Sequence, residues 1–312
     1  MQKRRILVLG YPKSGTTWVT RLTAELLGAP VKGFWREPRN GEFEGADRVS
    51  SFEVFRGHHT YDRIRNEIDL SEIVYVARDV RDVAVSGACY FSFRPRKSLD
   101  RLAFSLRKRL TGAAGKRRED ARKLSEMLRI LSEGDVWPSP WCAQPWDRHV
   151  AEFIRARAFV IRYEDLLAAP ERECARLLRH LGVVRSRGHV LDAILTQSFV
   201  SAKRRFLAIG KMQHARFLRE GRSGEWVERL SQEQSAFCAE RFGPALGQLG
   251  YEPWRNPTTG ADLRPHIVFD ACSTATQATE AVRASHPAIV SPSPDKVPEH
   301  RKQPTKPMGR LA

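Results

Sequence analysis

Short, unbroken apolar runs alternate along this chain with segments whose apolar positions recur every three or four residues. Residues 5–10 (RILVLG) form the first run, and an apolar run without polar alternation suits a parallel strand buried on both faces. From Thr16 to Leu27 the period lengthens, and Trp18, Val19, Leu22 and Leu26 fall on one helical face. Residues 73–77 (IVYVA) predict a second buried strand with a helix over 80–91 behind it, and 52–56 predict a shorter strand. A further strand is expected at 158–162 (AFVIR). The segment after it predicts one amphipathic helix carrying Leu166, Leu177, Leu178 and Leu181 and ended by Gly182. Strands alternating with helices predict a single α/β domain with a central parallel sheet flanked by helices.

Two segments depart from this pattern. Between about 94 and 129 the stretches RPRK, RKR and GKRRED crowd basic residues together. Leu102, Leu106 and Leu110 share one helical face there, and Leu124, Leu128 and Leu131 another. The expectation is a basic helical insertion over about 94–135, two exposed amphipathic helices joined by TGAAGK. From about Arg255, Pro, Ser, Thr and Ala replace any periodicity, and such a composition cannot bury a core. The expected organisation is a domain over 1–254 and a disordered Pro/Ser-rich tail over 255–312.

Composition narrows the partners without choosing among them. A length of 312 residues suffices for one large α/β domain and a tail. The formal net charge of +17 favours anionic ligands, and a phosphate-rich nucleotide, a nucleic acid or an anionic membrane would each fit. The five cysteines lack CxxC spacing, which argues against a zinc ribbon or a disulfide framework and suits a reducing compartment. No apolar run is long enough to span a membrane, so a soluble, cytoplasmic protein without a transmembrane segment is expected.

The candidate chemistry begins between the first strand and its helix, at Gly10-Tyr11-Pro12-Lys13-Ser14-Gly15-Thr16-Thr17. In a strand–loop–helix unit, loop N–H groups and the free N–H groups of the first helical turn converge on an anion, aided by the helix dipole. Lys13 adds a mobile positive charge, and Ser14, Thr16 and Thr17 add hydroxyl donors. The ATP- and GTP-binding loop GxxxxGK[ST] has the same glycine spacing, but here Thr16 stands where its lysine belongs and Lys13 lies inside the loop. A turn that binds nothing is the plainer alternative, and the flanking strand, helix and lysine favour phosphate. The displaced lysine counts against an ordinary kinase or ATPase.

YPKSGTTW resembles the 5'-phosphosulfate loop of the cytosolic-type sulfotransferases that use PAPS, 3'-phosphoadenosine-5'-phosphosulfate. Three further segments agree in order. YVARDVRDVAVS, with Arg78 and Ser86, resembles the family's RNxKDVxVS. RYEDL, with Tyr163, resembles FYEDL. FLREGRSGEW, with Arg219, Gly221, Gly224 and Trp226, resembles RKGxxGxW. The resemblance covers about residues 5–250 and implies a P-loop-type three-layer sandwich. It also implies transfer of a sulfuryl group from PAPS to a hydroxyl or amine, with PAP as product and no metal.

By the same resemblance Lys13 would hold the bridging and sulfuryl oxygens, Ser14, Gly15, Thr16 and Thr17 the 5'-phosphate, and Trp18 the adenine. Arg78 and Ser86 would bind the 3'-phosphate, with Arg219 and Gly221 closing over it. Tyr163, Ser198 and Phe199 would line the adenine. Plainer alternatives stand beside these: a surface ion pair of Arg78 with Asp79 or Asp82, a core position for Tyr163, and a packing role for Trp226.

A histidine is the natural base near neutral pH. Aligning FRGHHT with the family's VKTHLP puts His58 on the catalytic base and Arg56 on a lysine, with His59 one residue away. His149, His180 and His189 lack such context and are expected to be structural. Glu220 departs from the family's lysine, and the family's KxxxTVxxxE dimer motif is absent, which leaves the oligomeric state open. The expected acceptor is a small molecule or glycoconjugate. Trp35, Phe43, Phe52, Trp137, Trp141 and Trp146 are candidates for an aromatic pocket or for the core. Two other readings remain: a P-loop kinase of small molecules, with Asp79 as its only tempting acid, or a nucleic-acid or anionic-surface binding protein using 94–129. Sparse aromatic residues in that stretch weigh against nucleic acid.

Overall fold

Strands β1 (Arg4–Leu9), β2 (Val31–Phe34), β3 (Phe52–Gly57), β4 (Glu72–Ala77) and β5 (Phe159–Arg162) form one parallel sheet in the order β2-β3-β1-β4-β5. The computed structural model describes residues 3–37, 44–93, 112–137, 139–208 and 221–251. Helices α1 (Thr16–Leu27), α2 (Tyr61–Ile64), α3 (Val80–Tyr90), α4 (Gly112–Glu133), α5 (Trp146–Arg155) and α6 (Tyr163–Ala168) connect and cover the strands. They are followed by α7 (Pro170–His180), α8 (Arg187–Thr196), α9 (Phe199–Ala208), α10 (Trp226–Arg229) and α11 (Gln232–Gln248).

The unbroken apolar runs exist because alternate strand residues enter different cores. Leu7, Leu9, Tyr75 and Ala77 pack with Val83 of α3, Met127 of α4, Trp146 of α5 and Phe242 of α11. Ile6, Val8, Val74 and Val76 pack on the other face with Val19 and Leu22 of α1, Leu177 of α7 and Val190 of α8. The result is the expected three-layer α/β sandwich with β1 at its centre.

The predicted span of α1 coincides with the observed one, and the helix stops at Gly28, a left-handed C-cap whose N–H bonds back to the Ala24 and Glu25 carbonyls. Two expectations are corrected. The segment after β5 is two helices, not one. Pro170 is readily placed at the first helical position but disfavours helical dihedrals in the residue before it, and Ala169 accordingly leaves the helix at φ −141 and ψ 66.

The second correction concerns the basic insertion. Most of the expected TGAAGK linker lies inside α4, which runs continuously from Gly112. Leu124, Leu128 and Leu131 are buried against the sheet layer rather than exposed. The apolar stripe of α4 covers α3, while Lys116, Arg117 and Arg118 face outward. Leu102, Leu106 and Leu110, and the expected tail over 255–312, lie outside the described residues. Among the described residues no helix is long and apolar enough to cross a membrane.

Where β1 ends, Gly10 lies against β4. A side-chain carbon there would collide with the Val76 carbonyl oxygen, which is backbone and cannot swing away. Gly10→Ala is therefore expected to destabilise the fold by about 1–3 kcal/mol, the usual range for overpacking, read as a lowered urea midpoint at unchanged m-value.

Candidate active site

The carboxyl edge of an open α/β sheet is where its ligands bind, because helices and loops start there with unpaired N–H groups. Here β1 delivers the loop Gly10–Gly15, β3 delivers His58 and His59, β4 delivers Arg78, and β5 delivers Tyr163. In the β1 loop Lys13 (φ 77) and Gly15 (φ 91) take left-handed dihedrals, which curls successive amides into a concave anion nest ahead of α1. Ser14 Oγ and Thr16 Oγ1 are buried in this loop with no hydrogen-bond partner among the described residues. Buried hydroxyls are nearly always paired, so two orphaned ones in an amide nest mark a cradle for an acceptor-rich anion. The Lys13 ammonium reaches α3, 3.7 Å from the centre of the Tyr90 ring. Ser86 lies one turn earlier on that helix, half-buried.

Arg78 extends the cradle. Its guanidinium donates to the Lys13 carbonyl (3.1 Å) and the Arg222 carbonyl (3.3 Å) and lies 4.4 Å over the Tyr163 ring, while its Nε is buried and unpartnered among the described residues. The surface ion pair left open by the sequence is not formed. Asp79 instead caps α3 and bonds to the Arg81 guanidinium (2.9 Å). The Asp82 carboxylate accepts from the Gly224 amide (2.7 Å) and the Trp226 amide (3.1 Å). Arg81 in turn stacks 3.8 Å over Trp226, which gives that tryptophan its packing role.

Aromatic residues from distant parts of the chain form a wall beside Arg78. Trp18 meets Tyr163 edge-on at 5.6 Å and Phe199 at 5.8 Å. Gly221, with φ 62, brings its backbone so close to Phe199 that any side chain would strike the ring. A flat heteroaromatic base fits such a wall. The Ser198 hydroxyl is engaged locally, bonding Ser201 Oγ at 2.9 Å and accepting the Ser201 amide. Arg219 lies outside the described residues.

His58 stands on the other side of the β1 loop, its Nδ1 2.6 Å from the Gly10 carbonyl oxygen. A carbonyl only accepts, so Nδ1 carries the proton and donates, and Nε2 keeps its lone pair. Burial pushes the pKa of His58 down to about 3, outweighing the Gly10 carbonyl, and Arg56 adds to the lowering. The imidazole is therefore neutral throughout the physiological range. Arg56 donates to Thr17 Oγ1 (3.3 Å) and stacks 4.2 Å over Phe34. His59 is buried and meets the Trp141 ring at 4.9 Å.

A cavity of about 530 Å³ opens here, lined by His58, His59, Trp141, Gln144, Arg63 and Arg148 among others. Trp141 lies nearly parallel to Phe34 at 6.0 Å. Of the other candidate pocket aromatics, Trp35, Phe52 and Trp146 belong to the core, Trp137 is partly exposed, and Phe43 lies outside the described residues.

Sequence reasoning passed over Asp82 and Glu164 as site residues. The Glu164 carboxylate accepts from Tyr251 Oη (2.7 Å) and from the Asp79 amide (3.1 Å), and burial raises its pKa to about 7. Both acids lie inside the quoted motifs, but their partners are far away in sequence and gave no local signal. His149, set aside as structural, lies beneath the backbone that carries His58 and His59.

A parallel sheet with an anion nest and a base wall at its carboxyl edge is of the P-loop nucleotide-binding class. Residues 3–250 match the family described as the sulfotransferase domain, and the chain belongs to that family. It is similar to sulfotransferase 1A1 of Bos taurus, 24% identical over 273 residues that cover 77% of this chain and 83% of that protein. Sulfotransferase 2B1 of Homo sapiens is 24% identical over 280 residues, covering 80% and 68%. Among solved structures, mouse sulfotransferase SULT7A1 complexed with PAP superposes with a TM-score of 0.54 at 17% identity, covering 79% of this chain and 86% of its own. Retinol dehydratase in complex with androsterone and PAP gives 0.50 at 18% identity, covering 81% and 83%.

The carboxylate of Asp82 ties the 221–226 segment to α3 through two hydrogen bonds to a charged group, each of a kind worth about 1.5–3 kcal/mol. Asp82→Ala is expected to raise amide hydrogen exchange across 222–226 by about tenfold or more, since each 1.4 kcal/mol of lost protection is a factor of ten. Amides of β1 and α1 should stay protected. Unchanged exchange at 222–226 would show that the segment is held by other contacts.

Proposed function

We propose that this chain transfers a sulfuryl group from PAPS to the hydroxyl or amine of a small acceptor, with His58 as general base. One observation carries the reading: the orphaned donors Ser14 and Thr16 lie in the β1 loop, Arg78 reaches that loop from β4, and a neutral histidine hangs from its Gly10 carbonyl. An anion site and a proton acceptor thus share a single loop. Membership of the sulfotransferase family and the PAP held by two structural neighbours support the same donor. Among the described residues no group of His, Cys, Asp and Glu is arranged to hold a metal.

In this reading PAPS supplies an activated sulfuryl group, and the protein's residues do the rest. The nest amides, Ser14, Gly15, Thr16 and Thr17 hold the 5'-phosphate, and Lys13 neutralises charge on the leaving oxygen. Trp18, Tyr163, Phe199 and the neighbouring Ser198 enclose the adenine. Arg78, Ser86, Gly221 and Arg219 hold the 3'-phosphate. His58 Nε2 takes the acceptor proton as the new bond to sulfur forms and the bond from sulfur to the phosphate oxygen breaks. The imidazolium forms beside a multiply charged anion, which offsets the burial that depresses its pKa in the free protein. Arg56 anchors β3 to Thr17, and His59 faces the acceptor cavity.

The cavity combines the flat face of Trp141 with Gln144, Arg63 and Arg148, so an amphiphilic acceptor with an aromatic or sugar ring and further polar groups fits it best. The kinase reading loses its acid, because Asp79 is bound to Arg81, and it has no lysine after Gly15. The outward Lys116, Arg117 and Arg118 of α4 form the described part of the proposed anionic contact surface over 94–129. The catalytic domain in this reading runs over about 1–254.

Labelled PAPS with a panel of phenols, alcohols, amines and sugars tests the reaction. His58→Ala is expected to reduce transfer by about 10²–10⁴-fold, the usual contribution of a general base, while calorimetric PAP binding stays near wild type. His59→Ala should keep turning over. Full activity of the first variant with loss in the second would move the base by one residue. Trp141→Ala is expected to raise the acceptor KM more than it lowers kcat. An unchanged KM would place the acceptor elsewhere.

A further inference from the structure

The backbone that carries His58 has no sheet ladder to hold it. β3 ends at Gly57, and residues 58–60 belong to neither strand nor helix. The carbonyl of His59 turns into the core and meets Nε2 of His149 at 3.1 Å. On the far side of the same imidazole, Nδ1 lies 2.9 Å from the Tyr75 hydroxyl of β4. Only one arrangement of protons satisfies both bonds. The His59 carbonyl can only accept, so His149 Nε2 carries the proton. Nδ1 then has the lone pair, and the Tyr75 hydroxyl donates to it.

The ring is packed so that it cannot turn. His149 is wholly buried on α5, with the Tyr11 ring edge-on at 5.6 Å and Phe153 at 5.2 Å. Tyr75 is itself stacked on Phe153 at 4.8 Å. Neighbouring buried positions of α5 are Trp146, Val150 and Phe153, and a leucine in place of His149 would fill such a core at lower desolvation cost. Packing alone therefore gives no reason for an imidazole here. Tyr11 follows Gly10, whose carbonyl holds the His58 ring, so His149 touches both the loop that fixes the base and the backbone that carries it.

We propose that His149, backed by Tyr75, is a positioning residue that holds the 58–59 backbone so that the Nε2 lone pair of His58 faces the acceptor, an inference that rests on His58 being the base. The titratable and charged groups facing His149 are Tyr75, Tyr11, His58, His59 and Glu152, and His58 also faces Arg56. Burial holds His149 down to about 4 and raises Tyr75. Both remain neutral across the working range, and the pair acts by geometry rather than by moving a proton.

The test compares His149→Leu, His149→Gln, Tyr75→Phe and His58→Ala for kcat, acceptor KM, PAP binding by calorimetry and the pH dependence of kcat/KM. His149→Leu is expected to lower kcat by about 10–100-fold, the scale of a displacement near 1 Å, with PAP binding unchanged. Loosening the segment lets further water reach His58 in the free enzyme, so an acid limb of kcat/KM, which reports the free enzyme's groups, should appear near the ordinary histidine pKa of about 6.5, where wild type is flat. His149→Gln, whose amide can donate to the same carbonyl, should recover part of the loss. Tyr75→Phe, which keeps the ring, should move both readouts in the same direction by less.

Wild-type kcat with a flat profile in folded His149→Leu overturns the proposal, as does a kcat loss without the acid limb, which marks a structural role. Should His149→Leu bind no PAP and show no cooperative unfolding, Tyr75→Phe decides, and an unchanged rate and profile there overturn the proposal. Full activity in His58→Ala removes the base assignment itself, a result distinct from failure of the clamp.

Discussion

At the end of β1 the backbone must do three things at once. It passes hard against the β4 backbone at Val76, it curls through left-handed dihedrals at Lys13 and Gly15, and it offers the Gly10 carbonyl to His58. Only a residue without a side chain allows the first, and the second and third follow from the path the chain then takes. The position of the His58 ring relative to the curled β1 loop is thus set by backbone atoms of that loop. Backbone positions within a packed sheet vary little, which suits a reaction that depends on alignment.

The remainder of the site is assembled by charge rather than by sheet. Arg78 ties the β1 loop to the 222 carbonyl, and Asp82 ties the 224 and 226 amides to α3. Two residues four apart, Arg78 just before α3 and Asp82 in its first turn, therefore hold both the β1 loop and the 222–226 segment. Asp79, between them, is spent on capping the helix and on Arg81. In RDVRD the sequence left open a surface ion pair for Arg78, yet each of the four charged residues is buried.

Local pattern reached far into the fold. The span of α1, the strands at β1, β4 and β5, and the tight loop after β1 were legible because each is set by periodicity or by glycine and proline dihedrals within a few residues. The failures have equally physical reasons. The apolar stripe of α4 looks the same whether it faces solvent or covers α3, so Leu124, Leu128 and Leu131 suit a surface helix equally well by pattern alone. The break at Ala169 was readable from Pro170 and was outweighed by an apolar period that continues in register on both sides. β2 is a four-residue edge strand with Lys32 and Gly33 in its middle, too short and mixed to stand out.

The sequence by itself determined which residues could cradle a phosphate and in what order they come, since a glycine, lysine and hydroxyls at fixed spacing between a strand and a helix carry that chemistry in their own backbone. It also marked His58 and His59 as a pair worth attention. What it left undetermined was decided by contacts across 48, 90 and 74 residues: the Gly10 bond that fixes the tautomer of His58, the His149 bond beneath it, and the Tyr75 hydroxyl behind that. A tautomer, an orphaned hydroxyl or a buried carbonyl is a property of what surrounds a group, and those surroundings exist only once the sheet has brought the strand ends together.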